Sequence, residues 1–182
     1  KKMLAYSSAS DLGFITAGML TLNTHGMVGS VYLIIAHAMS TGGIFLLVGM
    51  MERNLGIRSL SELGGIASKA PLFTIYFAIM MFCIVGIPGT NGFVGELLII
   101  LGIFKFNPFL GVIAALSVLV GASYMLWLFQ KVALGSSNSD VSQMVDLDWK
   151  EALGLLPLAV LIVAMGVYPE YFIAKIEPTI HY

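Results

Sequence analysis

The sequence predicts an all-α integral membrane protein, a bundle of about five transmembrane crossings of which one is discontinuous. Three observations carry that prediction. Of the 182 residues, 58% are hydrophobic and only 10% charged, with a mean hydropathy of +0.94, whereas a soluble domain runs about a quarter charged. The apolar residues gather in long segments. One of these is interrupted by Gly86, Pro88, Gly89 and Gly92 and then carries a carboxylate, Glu96, just past the interruption.

The elements follow in chain order. Apolar segments cover Met3–Leu22, Val28–Met51, Pro71–Ile87, Phe93–Phe104, Phe109–Lys131 and Glu151–Tyr168. A helix needs about 20 residues to cross a ~30 Å hydrocarbon core, and four of the segments qualify. Pro71–Ile87 and Phe93–Phe104 flank the interruption and read as two halves of one crossing. Proline removes a backbone donor there, and the glycines permit dihedrals that other residues avoid. Such backbone is tolerated at membrane depth only where protein buries it or where it lines a wet cavity. Asn23–Met27 reads as a tight turn and Glu52–Ala70 as a polar loop. Leu134–Trp149 is the stretch most like a flexible linker.

Basic residues orient the bundle. Lys1, Lys2, Arg53, Arg58, Lys69, Lys131 and Lys150 fall on one side, and Lys105 and Lys175 on the other. The excess on the first side marks it as cytoplasmic. Trp127, Trp149, Tyr168, Tyr171 and Tyr182 lie near segment ends, where amphipathic rings prefer the interface. A net charge of −1 implies no nucleic-acid partner. The single Cys83 excludes a disulfide framework within the chain. No metal-ligand cluster, phosphate-binding loop or nucleophile motif is visible. The chain opens on lysine, inside a segment already leading into a helix, and reads as a piece of a longer protein.

Ionisable groups in spanning helices cost roughly 2.5–3.5 kcal/mol each on insertion scales, so each needs an explanation. Glu96, just over a turn into the second half-helix, is expected to gain part of the field of the amide donors near Thr90–Gly92. It is either a protonatable or ion-binding group at a broken helix, as in ion-coupled transporters, or a structural carboxylate bonded to a neighbouring helix. His37, Ser40 and Thr41 share a helix face, with Ser30 two turns earlier. That histidine is either a proton relay or a neutral ring satisfied by a hydroxyl. Ser7, Ser10 and Asp11 cluster in the same way, with Asp11 about two turns from the cytoplasmic end. Asp11 pairs with His37 or is locally solvated. Lys69 reads either as a cytoplasmic anchor or as a further group of the proton path, with Glu96, His37, Asp11, Ser40 and Thr41. Ser117, Ser123, Tyr124 and Gln130 put some polarity on the fifth segment, much of which small-residue packing explains.

Taken together, KKMLAYSSAS, IIAHAMSTGGIFLLVG, LGGIASKAP and GIPGTNGFVGELLIILG follow one another as in the antiporter-like, proton-translocating subunits of respiratory complex I. YMLWLFQKVALG and WKEALGLLPLAVLIVAMGVYP also resemble that family, so the resemblance covers essentially the whole chain. Glutamate in GFVGELL resembles the family's M-type branch, whereas the L- and N-types carry lysine there. The resemblance implies residues 1–135 as part of a second half-channel, and residues 136–182 as a loop and closing transmembrane helix. The whole would be the carboxyl-terminal part of such a subunit.

The implied function is proton translocation coupled to electron transfer in NADH:quinone oxidoreductase, a translocase role with no redox centre in this chain. Membership of a cation/proton antiporter of the Mrp kind, or of a related hydrogenase or F420-dependent complex, is the alternative. NAD, FMN, iron–sulfur clusters and quinone are implied for partner subunits and no cofactor for this one. The implied partners are other membrane-arm subunits, neighbouring antiporter-like subunits among them, in a bacterial cytoplasmic or organellar membrane. Glu96 matches the family's buried acid at the second broken helix and His37 its axial histidine. Lys69 matches a lysine of the loop motif. Asp11 stands where the family usually has histidine.

Overall fold

The computed structural model describes residues 2–55, 64–135 and 144–180. These form seven α-helices: α1 Lys2–Leu20, α2 Thr24–Leu55, α3 Pro71–Val85, α4 Asn91–Phe106, α5 Pro108–Phe129, α6 Trp149–Val167 and α7 Pro169–Ile180. A 3₁₀ turn at Ile66–Ser68 precedes α3, and a π-helical stretch at Gln130–Leu134 extends α5. Among the described residues, three segments are long and apolar enough to cross a membrane: Thr24–Leu55, Pro108–Leu134 and Trp149–Val167. The protein is a multi-pass integral membrane protein.

α1 and α2 form an antiparallel hairpin, and its turn is shorter than the sequence suggested. The Thr21 and Leu22 amides bond back to Gly18 and Met19, and Leu22 adopts a positive φ of 51°. The Asn23 side chain then accepts from the Gly26 amide at 3.0 Å, capping α2. Its amide also donates to the Gly102 carbonyl at 2.8 Å, tying the hairpin to α4. α2 is the central helix and packs along α4 through glycines. A methyl group on Gly29 would come within 2.8 Å of the Ile99 amide nitrogen, and one on Gly95 within 2.8 Å of Leu33 Cβ. Small residues let helix backbones approach where no hydrophobic effect drives them together.

α3 enters with Pro71 at its start, and Asp146 accepts from the Leu72 and Phe73 amides at 2.9 and 2.8 Å. Far from being a free linker, the described residues just before α6 are therefore anchored. Asp148 and Glu151 form a capping box on α6, and Glu151 also pairs with Arg53 of α2. These contacts gather Arg53, Lys150 and the start of α3 at one end of the bundle. Lys105, 3.3 Å from the His25 ring, lies at the other. α3 and α4 run in succession between those ends, one crossing in two pieces.

The core between them holds Tyr32, Met80, Met81, Ile99, Met125, Leu155 and Ile162, all under 2% exposed. Leu116, Leu119 and Val120 of α5 point outward, as side chains bathed in acyl chains can. The sequence reading ended the helices at Tyr168 and missed α7. This helix follows α6 directly and turns Phe172, Ile173 and Ile176 toward the bundle, while Glu170 and Lys175 stay outside. Arg58, His181 and Tyr182 lie outside the described residues.

Candidate functional site

The break between α3 and α4 is a Schellman turn. The Ile87 amide bonds to the Phe82 carbonyl at 3.0 Å and the Gly86 amide to Cys83 at 3.2 Å, with Gly86 at φ 70°. Pro88 cannot continue the helix, and Gly89 at φ 97° turns the chain back. The Thr90 amide and hydroxyl both bond to the Ile87 carbonyl, at 3.1 and 2.7 Å. Thus the break satisfies much of its own backbone. Gly92 brings the start of α4 against α3, since any side chain there would overlap the Cys83 carbonyl.

Glu96 lies in the second turn of α4. Helical side chains lean toward the N-terminus, and its carboxylate reaches back to the last turn of α3. There it rests against Gly86, where a β-carbon would strike Oε2. Besides its place near the start of α4, the carboxylate thus sits beside the glycine that ends α3, a contact the sequence does not announce. Gly86 is therefore required twice, for its dihedral and for the room it leaves.

The structure settles whether Asp11 and His37 meet. His37 Nδ1 and Asp11 Oδ2 are 3.1 Å apart, with the side chains 14% and 26% exposed respectively. The Thr41 hydroxyl lies 3.4 Å from the imidazole nitrogens, at the limit of a hydrogen bond. Ser40 spends its hydroxyl on the Ala36 carbonyl at 2.9 Å. Ser30 bonds to Ile15 and Gly26 carbonyls, fastening α1 to α2. Lys69 is exposed at the basic-rich end and takes no part in this cluster.

Three small cavities meet at Asp11. One of about 40 Å³ lies between α1 and α5, with Ser7, Ser10, Asp11, Glu96, Ser117 and Tyr124 among its walls. A water needs about 10–15 Å³ of such space and several polar partners, so this cavity admits water. A second, of about 10 Å³ and at that limit, joins Asp11 and Glu96 to His37, Ser40 and Cys83. The third leads toward the basic-rich end past Ser7, Ser8 and Thr41. Leu4, Ile44 and Phe45 close it to about 0 Å³. The space around the two carboxylates thus has room for water beside α5 and none toward the basic-rich end.

Two acids, an imidazole and several hydroxyls around a wettable space can accept, hold and pass a proton. Among the described residues, no group of three or more His, Cys, Asp or Glu is placed to hold a metal ion. Sequence reasoning attributed Ser117 and Tyr124 largely to packing and gave Cys83 and Asn91 no role. The structure brings the first two to the cavity wall and the second two to the break. Their signal was the helical spacing of Ser117, Gly121 and Tyr124, one face of α5.

Residues 1–125 match the family model described as NADH:quinone oxidoreductase/Mrp antiporter, transmembrane. A relative named NADH-ubiquinone oxidoreductase chain 4, from Chondrus crispus, is 37% identical over 178 residues, covering 97% of this chain and 36% of that protein. NADH-quinone oxidoreductase subunit M of Rickettsia felis is 38% identical over 171 residues, covering 93% of this chain and 35% of that one. The chain thus spans about a third of the length of the curated relatives it matches. Among solved structures, respiratory complex I from Thermus thermophilus contains a chain that superimposes with a TM-score of 0.88 at 35% identity, over 97% of this chain and 37% of that one. The resemblance to M-type subunits drawn from the motifs is borne out by these names, and the chain belongs to the NADH:quinone oxidoreductase/Mrp antiporter transmembrane family.

Proposed function

We propose that this chain carries part of a proton path in the membrane arm of an NADH:quinone oxidoreductase, coupled to electron transfer performed by other subunits. The observation that carries the reading is the Asp11–His37 pair at 3.1 Å, sharing wettable space with Glu96 at the break. An imidazole and a carboxylate in contact exchange one proton between charged and neutral pairs, and Glu96 is the neighbouring acceptor. Residues 1–135 supply this path, and residues 136–182 close it. The names of the relatives, subunits M and chain 4 of such oxidoreductases, support the assignment. Partners of this chain would be further membrane-arm subunits, and NAD, FMN, iron–sulfur clusters and quinone would be handled there.

Within this reading, water approaches Asp11 and Glu96 beside α5. Reopening of the Leu4–Ile44–Phe45 closure would connect Asp11 to the basic-rich, cytoplasmic side. The test is proton pumping measured alongside quinone reduction in reconstituted complex carrying Glu96→Gln in the full-length subunit. Loss of pumping with slowed reduction is expected. Normal pumping per electron would reduce Glu96 to a structural carboxylate and sink the proposal. Sodium-dependent transport in place of proton transport would favour the antiporter reading.

A further inference from the structure

The spanning helix α6 lies beyond the residues that match the family model, yet two of its residues, Met165 and Gly166, touch the break, and a third contact ties its end to α2. Gly166 stands directly on the turn, with the Gly89 carbonyl and Thr90 occupying the place of any β-carbon. The Met165 carbonyl faces Pro169 four residues on, which has no N–H to offer it. Tyr32 of α2, fully buried, donates its hydroxyl to that carbonyl at 2.6 Å and so fixes the end of α6. The Met165 thioether lies 3.7 Å from the amide nitrogen of Asn91, the first residue of α4. Asn91 is itself fully buried. Its amide oxygen accepts from the Cys83 thiol at 2.9 Å, and Met39 of α2 flanks the other side at 3.8 Å.

We propose that α6 is the positioning element of the broken helix, with Gly166 and the Tyr32–Met165 bond holding the Gly89–Asn91 turn so that Glu96 stays in register with Asp11 and His37. α4 is a continuous helix from Asn91, so a displacement of its first residue carries Glu96 with it. Gly154, on the same helix, has nothing within 4 Å of its β-position. Close approach is thus a property of position 166 rather than of glycine in α6. This inference rests on the proton-path reading above, in which the placement of Glu96 matters.

The experiment uses the full-length subunit in purified, reconstituted complex, with protons pumped per electron and the pH profile of coupled turnover as readouts. The titratable groups around Glu96 are Asp11 of α1, His37 of α2, Cys83 of α3 and Tyr124 of α5, so a displaced Glu96 alters the profile. A misplacement of about 1 Å can slow a transfer on the order of 10²-fold. Gly166→Ala is expected to lower coupled proton transfer at least on the order of tenfold and to shift the profile at normal assembly. Gly154→Ala should match the unmodified complex. Tyr32→Phe, which adds no bulk, should shift the profile in the same direction by less.

Superimposable profiles for Gly166→Ala and Gly154→Ala would overturn the proposal. If Gly166→Ala fails to assemble, an unshifted profile in Tyr32→Phe overturns it instead. Glu96→Gln, measured in parallel, separates the two levels. Inactive Glu96→Gln with normal Gly166→Ala defeats the positioning role alone, whereas fully active Glu96→Gln defeats both.

Discussion

At the scale of single residues, Asp11 and His37 act as one unit if the proton passes between them. General acid–base groups contribute about 10²–10⁴-fold, and groups that act together are strongly non-additive. We therefore expect Asp11→Asn and His37→Gln each to slow coupled proton transfer on the order of 10²-fold, with the double variant no slower than the worse single one. Additive losses in that cycle would mean two independent groups. Gly86→Ala should be harmful for two reasons at once, the positive φ and the collision with Glu96. Overpacking typically costs about 1–3 kcal/mol, measurable as a lowered thermal midpoint of the purified complex.

The sequence marked Glu96, His37 and the glycines of the break, because ionisable and helix-breaking residues stand out against an apolar background. It could not establish that Asp11 touches His37. The pair straddles the Leu22–Asn23 turn, as Ser30 and the Ile15 carbonyl do, and the turn's length sets which residues fall level. Nor could it show that Ser117 and Tyr124 reach the acids, since packing explains a small-residue helix face equally well.

At the scale of elements, the bundle depends on where backbones meet and how helix ends are satisfied. α2 and α4 touch through Gly29 and Gly95, whereas Gly13, Gly42 and Gly49 face open space. Gly29→Val should lower thermal stability, by about 1–3 kcal/mol if the helices are forced apart. Gly42→Ala should be neutral or stabilising, by up to about 1 kcal/mol, because alanine is the better helix former. Equal effects at both positions, read by thermal unfolding in one detergent, would contradict this packing. Asp146 caps α3 from 73 residues away in sequence, a tie that no local pattern announces. Asp146→Ala is expected to cost about 0.5–2 kcal/mol, the usual range for a lost cap, with unchanged melting as the disproof. The spanning helices were legible because apolar length is a strong signal. α7 was not, because twelve residues with two prolines and three charges resemble a tail. Only the Phe172–Ile176 spacing betrays its one-sided character.

At the scale of the whole molecule, charge divides the two ends, and that division predicts sidedness. A membrane-impermeant thiol reagent should label Lys175→Cys from the outer face, and Lys150→Cys only in inverted vesicles. The Cys83→Ser background keeps the native thiol out of the readout. Labelling of both from one side would refute the assigned orientation. α2 adds a consequence of its own. Its 32 residues make a rod of about 48 Å, against a hydrocarbon core of ~30 Å. Fitting the whole rod inside would need a tilt of roughly 50°, beyond the 0–40° that spanning helices adopt, so it protrudes. His37 rides near the middle of a lever whose tips reach into both aqueous phases, one bearing His25 and the other Arg53. A thinner or thicker bilayer rocks such a lever, and the composition of the lipid would then be felt at the imidazole without any ligand binding near it.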